Sequence, residues 1–420
     1  MFIPRKQKFW SVAVGHMTND VFMAAGTVLL TFISATILPM SNTQIGIALS
    51  TKNLVGAITQ PFFGLRADKT GGRWIGAGGL AFVVFNFILA LALAIITQNY
   101  WLMLIPFVLQ GVGSGAVHPV GALHAVESDD KHAASSTAYF FLMGQVGLAL
   151  GPVIIGLMLD GANIGSLIPF SDWVGFPAPT SFNANFSPIF LLGIVAIPSI
   201  IFMFRGIPKT RIQAEATIKP SIADTKEKPA RVQSWTPFIV IGIMVMLRGL
   251  AQPGSVDFIP LLFQQKGWSP AEYGAITSSF WVASAIAGVF FGSMADRYDR
   301  RLVLLASLSL SAPAYFFLPI FDGATAFALA ILAGGLSGGS HSIIVVLAQE
   351  LIPDSKGFAS GAILGFIFGT GALGALAIGI ISDTIGLATT FQFVAIAVFL
   401  AGFMGLLLPK RDLPQRNSGD

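Results

Sequence analysis

Long apolar runs alternate with short polar segments along almost the whole chain. A helix needs about 20 predominantly apolar residues to cross the hydrocarbon core of a bilayer. The pattern therefore predicts twelve membrane-spanning helices, at 9–38, 43–63, 74–97, 101–126, 133–159, 186–204, 236–264, 270–294, 302–320, 324–350, 357–381 and 386–408. An even number of spans places both termini on the same side of the membrane.

Composition agrees with this pattern. Of 420 residues, 54% are hydrophobic and 10% are charged, against about 25% charged in soluble proteins. Mean hydropathy is +0.76. A soluble domain of this size buries too little of its surface to hide so much apolar area, so most of the chain must face lipid. The absence of Cys excludes disulfides and thiolate chemistry. The first apolar run has no small-residue cleavage site, so we expect a retained span.

The distribution of Lys and Arg predicts the orientation. Lys52 and Arg248 lie inside predicted spans, and Lys266 lies in the loop after the seventh span. The other 21 of the 24 basic residues fall in the termini and in the loops after even-numbered spans. Basic residues accumulate in cytoplasmic loops, so we expect both termini in the cytoplasm and a multi-pass protein of the plasma membrane, the inner membrane of a bacterium. The net charge of +4 then reports topology, and nucleic-acid binding has no support.

The chain divides into two halves. A polar, Pro-containing and charge-mixed stretch at 206–234 is typical of a flexible linker. It separates a predicted six-helix bundle at 1–205 from a second at 235–420.

The halves are also related as an internal repeat. An offset of 228 aligns Gly46 with Gly274, Gly64 with Gly292 and Asp68 with Asp296, and an offset of 223 aligns His118 with His341, Glu127 with Glu350 and Asp160 with Asp383. Parallel repeats related by an axis along the membrane normal are a transporter architecture, with the substrate site near midplane between the halves.

A charged, glycine-rich segment follows the second span, at 64–74, and recurs at 292–302. It resembles the loop signature of the major facilitator superfamily, and the resemblance covers essentially the whole chain. The resemblance implies an all-α fold of twelve transmembrane helices in two pseudo-symmetric six-helix bundles. The first copy departs at Gly72, where the family prefers a basic residue, and the second has Asp299 in place of a glycine.

Further motifs narrow the resemblance. Residues 147–156, GLALGPVIIG, resemble the Gly-x-x-x-Gly-Pro pattern of the family's antiporters. The segments HMTND (16–20) and GSGAVHPVG (113–121) are most similar to the fosmidomycin-resistance-like efflux branch. Proton-linked members often carry an Arg in the fourth span, where this chain has Phe107.

These motifs supply the residues we expect to control conformation. Glycines permit a tight turn, and basic residues fix orientation and contact anionic headgroups. The resemblance implies that Asp68 packs on the N-terminus of the eleventh span, where the helix dipole stabilises a carboxylate by about 0.3–1 kcal/mol. Alternatively, the charges set only the topology. The expected gating residues are Gly64, Asp68, Lys69, Gly71, Arg73, Gly147, Gly151, Pro152, Asp296, Arg297 and Arg300.

Polar residues inside the spans are candidates for binding. A charged side chain at mid-membrane costs about 2.5–3.5 kcal/mol, so each is a functional hypothesis. His16, Asn19 and Asp20 share one helical face. Arg248 aligns with Asp20 at the offset of 228. The expected substrate and proton site comprises His16, Asn19, Asp20, Lys52, His118, Arg248, Asp257 and His341.

Two interpretations of Asp20 stay open. Burial disfavours a charged carboxylate, whereas a nearby cation favours it. Asp20 beside Arg248 or Lys52 is therefore either a proton site whose state responds to substrate, or a static ion pair. His118 and His341 either supplement that proton site or form hydrogen bonds between helices.

We expect a secondary transporter that works by alternating access, most simply proton-coupled efflux of a drug or a small organic anion. The alternatives are a proton-coupled importer or a facilitator of a small organic anion, and a non-transporting membrane receptor. The expected partners are a small-molecule substrate, protons and the lipid bilayer, with no nucleic acid, cofactor or metal, and the expected state is a monomer. No arrangement of residues predicts an enzyme.

Overall fold

The computed structural model describes residues 4–128, 133–160, 187–208, 235–351 and 356–408, and these are almost entirely helical. The predicted linker, from residue 209 onward, and the loop at 161–186 lie outside the described residues. The helices are α1 (Gln7–Thr36), α2 (Asn42–Thr70), α3 (Arg73–Thr97), α4 (Tyr100–Val126), α5 (Ala133–Leu159), α6 (Ser187–Val195), α7 (Ile197–Gly206), α8 (Thr236–Gly249), α9 (Ile259–Gln265), α10 (Pro270–Arg297), α11 (Arg300–Phe317), α12 (Gly323–Gly338), α13 (Ser340–Leu351), α14 (Lys356–Ile385) and α15 (Leu387–Met404).

The predicted all-α membrane fold is confirmed. Within the described ranges, ten helical stretches are long and apolar enough to cross a membrane. The other two predicted spans are α2 and α11. α2 is more polar because it carries Lys52 and the charged segment that begins at Gly64, and α11 begins with two arginines.

Three spans predicted as continuous are interrupted. The sixth is divided at Ala196, between α6 and α7, and the seventh and the tenth are interrupted near their middle. In the seventh span, α8 ends at Gly249, and the π-helical turn Leu250–Ser255 and the 3₁₀ turn Val256–Phe258 lead into α9. Gln252 is extended there, with φ −150° and ψ 120°, because Pro253 disfavours the helical conformation of the residue before it. In the tenth span, α12 ends at Gly338 and α13 begins at Ser340. Consecutive glycines have low helix propensity.

The halves, α1–α7 and α8–α15, meet most extensively through two helix pairs, α5 with α10 and α2 with α14. Each pair crosses on two glycines. A Cβ at Gly156 would lie 3.3 Å from Gly274 Cα, and a Cβ at Gly46 would lie 3.2 Å from Gly379 Cα. The offsets of 228 and 223 relate Gly46 to Gly274 and Gly156 to Gly379. The repeat therefore duplicates the contact between the halves, and the missing side chains let the helices approach closely.

We call the end of the bundle that carries Asn42 and Asp383 the Asn42 end, and the opposite end the Thr70 end. The hydrogen bonds described between the halves lie at midplane or toward the Asn42 end. Asn42 N and Thr43 N donate to Asp383 at 2.9 Å each, and Val153 N donates to Ser278 Oγ at 3.0 Å. The described structure is thus closed at the Asn42 end.

The outer surface of the bundle is apolar. Phe85 is 60% exposed, Trp101 65% and Val289 73%. Within the bundle, by contrast, Arg248 is 1% exposed and Lys52 2%. A lipid solvent favours this distribution, in which apolar side chains face outward and polar side chains face the interior of the bundle.

The turn between α2 and α3 is built by Gly71 and Gly72, at φ 78° and 74°, a left-handed conformation that favours glycine. Gly64, Asp68 and Lys69 lie before it, within the last turns of α2, so Gly64 serves no turn. In the second copy, the residue in place of the glycine is Asp299, whose carboxylate accepts from Arg301 N at 3.0 Å and caps α11. A cap replaces a left-handed turn, which explains the departure from the family pattern.

Candidate functional site

Asp20 is the centre of a buried polar cluster in the first half. Its carboxylate oxygens lie 3.2 Å from His16 Nε2 and 3.5 Å from His118 Nε2. Asn19 Nδ2 donates to the same carboxylate at 2.8 Å and to Ser114 Oγ at 3.1 Å. Asp20 is 7% exposed. The structure thus brings four of the eight predicted binding residues together, from α1 and α4.

Each of the two imidazoles faces an oxygen acceptor at both ring nitrogens. His16 Nδ1 is 2.9 Å from the carbonyl oxygen of Phe140, and His118 Nδ1 is 2.9 Å from that of Ser114, while each Nε2 faces a carboxylate oxygen of Asp20. Carbonyl and carboxylate oxygens only accept, and a neutral imidazole carries one ring hydrogen, so it donates to only one of its two acceptors. A second ring proton lets the imidazole donate to both, and its bond to the carboxylate is then charge-assisted.

α5 encloses the cluster. Phe140 stacks on the His16 ring with their centroids 4.1 Å apart. A Cβ at Gly144 would lie 2.4 Å from His16 Cε1 and 2.8 Å from Asp20 Oδ2. Gly144 was not among the residues predicted from the sequence. Its position, three residues before Gly147 and next to the glycine-rich segment 147–156, would have indicated that it belongs to the same packing face. Only a residue without a side chain fits against the cluster here.

The predicted Gly147 and Gly151 pack α5 against α1. A Cβ at Gly147 would lie 2.3 Å from Met17 O, and one at Gly151 would lie 2.4 Å from Val21 O. The glycine face of α5 thus sets the close approach of the two helices. α5 continues as a helix through Pro152, and a hinge role for that residue stays a prediction.

The cluster is also the one group in the described part of the chain with metal-ligand chemistry. His16, Asp20 and His118 each offer one ligand atom, and these three atoms lie within 4.8 Å of one another. A structural zinc site has four protein ligands, whereas a zinc site that keeps an open position has three. The expected absence of a metal therefore stays a prediction. The direct contacts between the imidazoles and the carboxylate are those that bind protons.

Lys52 and Asp257 form a second polar group, between the halves. Lys52 Nζ donates to Met23 O at 3.0 Å and lies 5.1 Å from the Phe107 ring centroid. Phe107, which replaces the expected arginine of the family, thus contributes a cation–π contact. Asn53 Nδ2 donates to Asp257 Oδ2 at 3.4 Å, and the charges of Lys52 and Asp257 interact.

Arg248 occupies the corresponding depth in the second half. Its Nε donates to Ser340 Oγ at 2.6 Å, Nη1 to Gln252 O at 3.1 Å and Nη2 to Gln252 Oε1 at 3.1 Å. Gln252 Nε2 in turn donates to Ser284 Oγ at 2.9 Å. Gln252 and Ser340 were not among the residues predicted from the sequence, because interruptions of the seventh and tenth spans bring them to Arg248.

The expected pairing of Asp20 with Arg248 or Lys52 does not occur in the described structure. The titratable partners of Asp20 within 4 Å are His16 and His118, whereas the hydrogen-bond partners of Arg248 are neutral. The physical reason is that residues aligned by the repeat occupy equivalent places in different halves, so symmetry relates Asp20 and Arg248 without bringing them into contact.

The turn between α2 and α3 is tied to its own half. Arg73 Nε donates to Ile207 O at 2.6 Å. His124, which was not predicted from the sequence, lies 2.7 Å from Gly71 O and 3.2 Å from Glu127 Oε2, and Lys8 Nζ also contacts Glu127 at 2.9 Å. This network fixes the Gly71 turn on α1 and α4.

Other predicted gating residues lie on α2, α10 and α11. Arg300 pairs with Glu350, which ties α11 to α13. The Asp296 side chain lies outside the described part of the chain. The roles of Asp68, Lys69 and Arg297 stay predictions.

These features can be compared with known proteins. The Major Facilitator Superfamily family profile matches residues 13–266 and 238–419. The chain belongs to the major facilitator superfamily. It is therefore a multi-pass membrane transporter and not an enzyme, as expected.

Two relatives of this transporter match over almost their whole lengths. The uncharacterized MFS-type transporter YfnC of Bacillus subtilis is 26% identical over 403 residues, 95% of this chain and 91% of that protein. The fosmidomycin resistance protein of Escherichia coli is 24% identical over 401 residues, 95% of this chain and 92% of that protein. The second match confirms the predicted resemblance to that branch.

Solved structures share the fold. A bacterial homologue of the human lysosomal transporter Spinster, in an inward-facing and unoccupied conformation, superimposes with a TM-score of 0.76 at 13% identity, covering 95% of this chain and 96% of the other. A D-xylose–proton symporter superimposes with a TM-score of 0.73 at 14% identity, covering 96% and 98%.

Proposed function

We propose that this transporter exports a drug or a small organic anion across the bacterial inner membrane, driven by protons that bind at Asp20, His16 and His118. Both termini lie in the cytoplasm, so the Asn42 end is external, and the protein acts as a monomer. A proton entering down the membrane potential supplies about 2.3 kcal/mol per 100 mV.

The arrangement of the two imidazoles around Asp20 carries the proposal. Each ring has an acceptor at both nitrogens, a backbone carbonyl at Nδ1 and the Asp20 carboxylate at Nε2, so a neutral imidazole leaves one of the two contacts without a hydrogen until a further proton arrives. Loss of that proton leaves unpaired acceptors in a site that is largely buried. Proton release therefore favours a different packing of α1, α4 and α5, which is the physical requirement for coupling.

Export is the direction that the relatives favour. The fosmidomycin resistance protein is one of them, and the quinolone resistance protein NorA of Staphylococcus aureus is 24% identical over 381 residues. Gly147, Gly151 and Pro152 match the antiporter pattern that the family resemblance implies.

The test is uptake of fosmidomycin and of a quinolone into inside-out vesicles that are acidic inside. We expect the wild type to accumulate at least one of them and Asp20→Asn to lose this accumulation while it still exchanges labelled for unlabelled compound. Asp322→Asn, at an exposed carboxylate that pairs with Lys266, is the control. Full proton-driven uptake by Asp20→Asn would overturn the coupling site, and accumulation only in right-side-out vesicles would make the protein an importer.

A further inference from the structure

The charge of Arg248 is not neutralised by any carboxylate that the structure describes. Arg248 is 1% exposed, and its hydrogen-bond partners are a hydroxyl, a backbone carbonyl and an amide oxygen. A buried cation without a counter-charge is costly. By contrast, the two other buried cations among the described residues have acidic partners: Lys52 interacts with Asp257, and Arg300 pairs with Glu350.

The guanidinium retains hydrogen-bonding capacity. It has five N–H groups, of which three are used. One N–H remains on each terminal nitrogen, without an acceptor among the described residues. Oxyanions are the usual partners of such donors, because the bonds are charge-assisted.

Arg248 lies where the seventh and the tenth spans are both interrupted. It is in the last turn of α8, and its partner Ser340 is the first residue of α13. Interrupted helices at midplane are a recurrent feature of transporter substrate sites.

His341 supplies a free donor beside this group. It follows Ser340, is partly exposed and forms no hydrogen bond with a described residue, and it is close enough to Arg248 for the guanidinium charge to act on its ring. The repeat aligns His341 with His118 and Arg248 with Asp20. The equivalent places in the two halves thus carry opposite charge, a carboxylate in the first and a guanidinium in the second.

We infer that Arg248 and His341 bind the anionic group of the substrate, a carboxylate or phosphonate of an organic acid. The inference rests on the proposed transport function and assigns its substrate class. An acid at Arg248 and a proton at Asp20 occupy different halves, so each half of the molecule binds one of the two charges.

Direct binding to the purified protein in detergent tests the inference. The probes are benzoate and phenylphosphonate, with benzamide as the neutral control, and the readouts are titration calorimetry and the melting temperature, which rises when a ligand binds only the folded form. We expect the acids to bind and benzamide not to bind. Arg248→Gln is expected to weaken acid binding about tenfold or more, the usual effect of losing a hydrogen bond to a charged group.

Two variants keep the test decisive if Arg248→Gln does not fold. Arg248→Lys keeps the charge but not the two terminal nitrogens, and His341→Gln removes the imidazole; each is expected to bind the acids more weakly than the wild type. His124→Gln, at the buried histidine near Gly71, is the matched control and is expected to bind as the wild type does.

Three outcomes would overturn the inference: equal binding of benzamide and benzoate, no binding of either acid, or acid binding that is unchanged in Arg248→Lys and His341→Gln. Binding does not require Asp20, so acid binding that survives in a protein without proton-driven transport refutes only the coupling proposal.

Discussion

Asp383→Asn tests how the Asn42 end is held closed. The carboxylate of Asp383, on α14, accepts from the first two backbone amides of α2, Asn42 N and Thr43 N, at 2.9 Å each. The helix dipole favours a negative charge at this position. An asparagine keeps one carbonyl oxygen, so the variant loses the charge and one of the two hydrogen bonds.

The size of the effect follows from the exposure of the site. Asp383 is exposed to solvent, so we use the value for an exposed helix terminus, at most about 1 kcal/mol, rather than that for a buried ion pair. The same contact must break in each transport cycle. We therefore expect Asp383→Asn to shift the equilibrium away from the closed Asn42 end by up to about fivefold.

The assay uses the absence of Cys in the chain. Cysteines placed at the exposed Gln98 and Ile320, in different halves at this end, carry spin labels, and the distance distribution gives the populations. Asp383→Asn should increase the longer-distance population. Asp322→Asn, an exposed acid that pairs with Lys266 within the second half, should not. An unchanged distribution in Asp383→Asn, or an equal change in Asp322→Asn, would refute the reasoning.

Three further substitutions follow from the packing. Gly144→Ala places a methyl group 2.4 Å from His16 and should abolish proton-driven uptake, whereas Gly78→Ala, with no neighbour within 4 Å, should not; vesicle transport decides. Gly274→Ala, whose Cβ would lie 2.4 Å from Pro152 O, should open the Asn42 end in the spin-label assay. His124→Gln loses the hydrogen bond to the carbonyl of Gly71 and should destabilise the fold by about 1 kcal/mol, measured as a lower melting temperature, with no change in the anion affinity at Arg248.

The interrupted spans show what the hydropathy pattern predicts and what it does not. The apolar run at 236–264 predicted the position of the seventh span correctly, but hydropathy does not indicate where the helix within a span is interrupted. Pro253 was visible in the sequence and marks the interruption, yet the contact of Gln252 and Ser340 with Arg248 depends on where two separate interruptions meet. A residue such as Pro253 indicates where a helix is interrupted, whereas only the packing of the helices decides which side chains the interruption brings together.

The sequence by itself determined the solvent, the number of spans, the two-fold repeat and the polar residues inside the membrane. Each of these follows from composition or spacing, because a lipid environment penalises every polar group locally and so marks it in the pattern. The helical spacing had already placed His16 on the same face as Asp20, four residues away. The partners on other helices were decided only by the tertiary structure. Asp20 contacts His118 on α4 instead of Arg248, because the repeat places aligned residues in different halves. Charge pairing depends on distances of a few ångströms between helices far apart in the chain, and no local pattern encodes those distances.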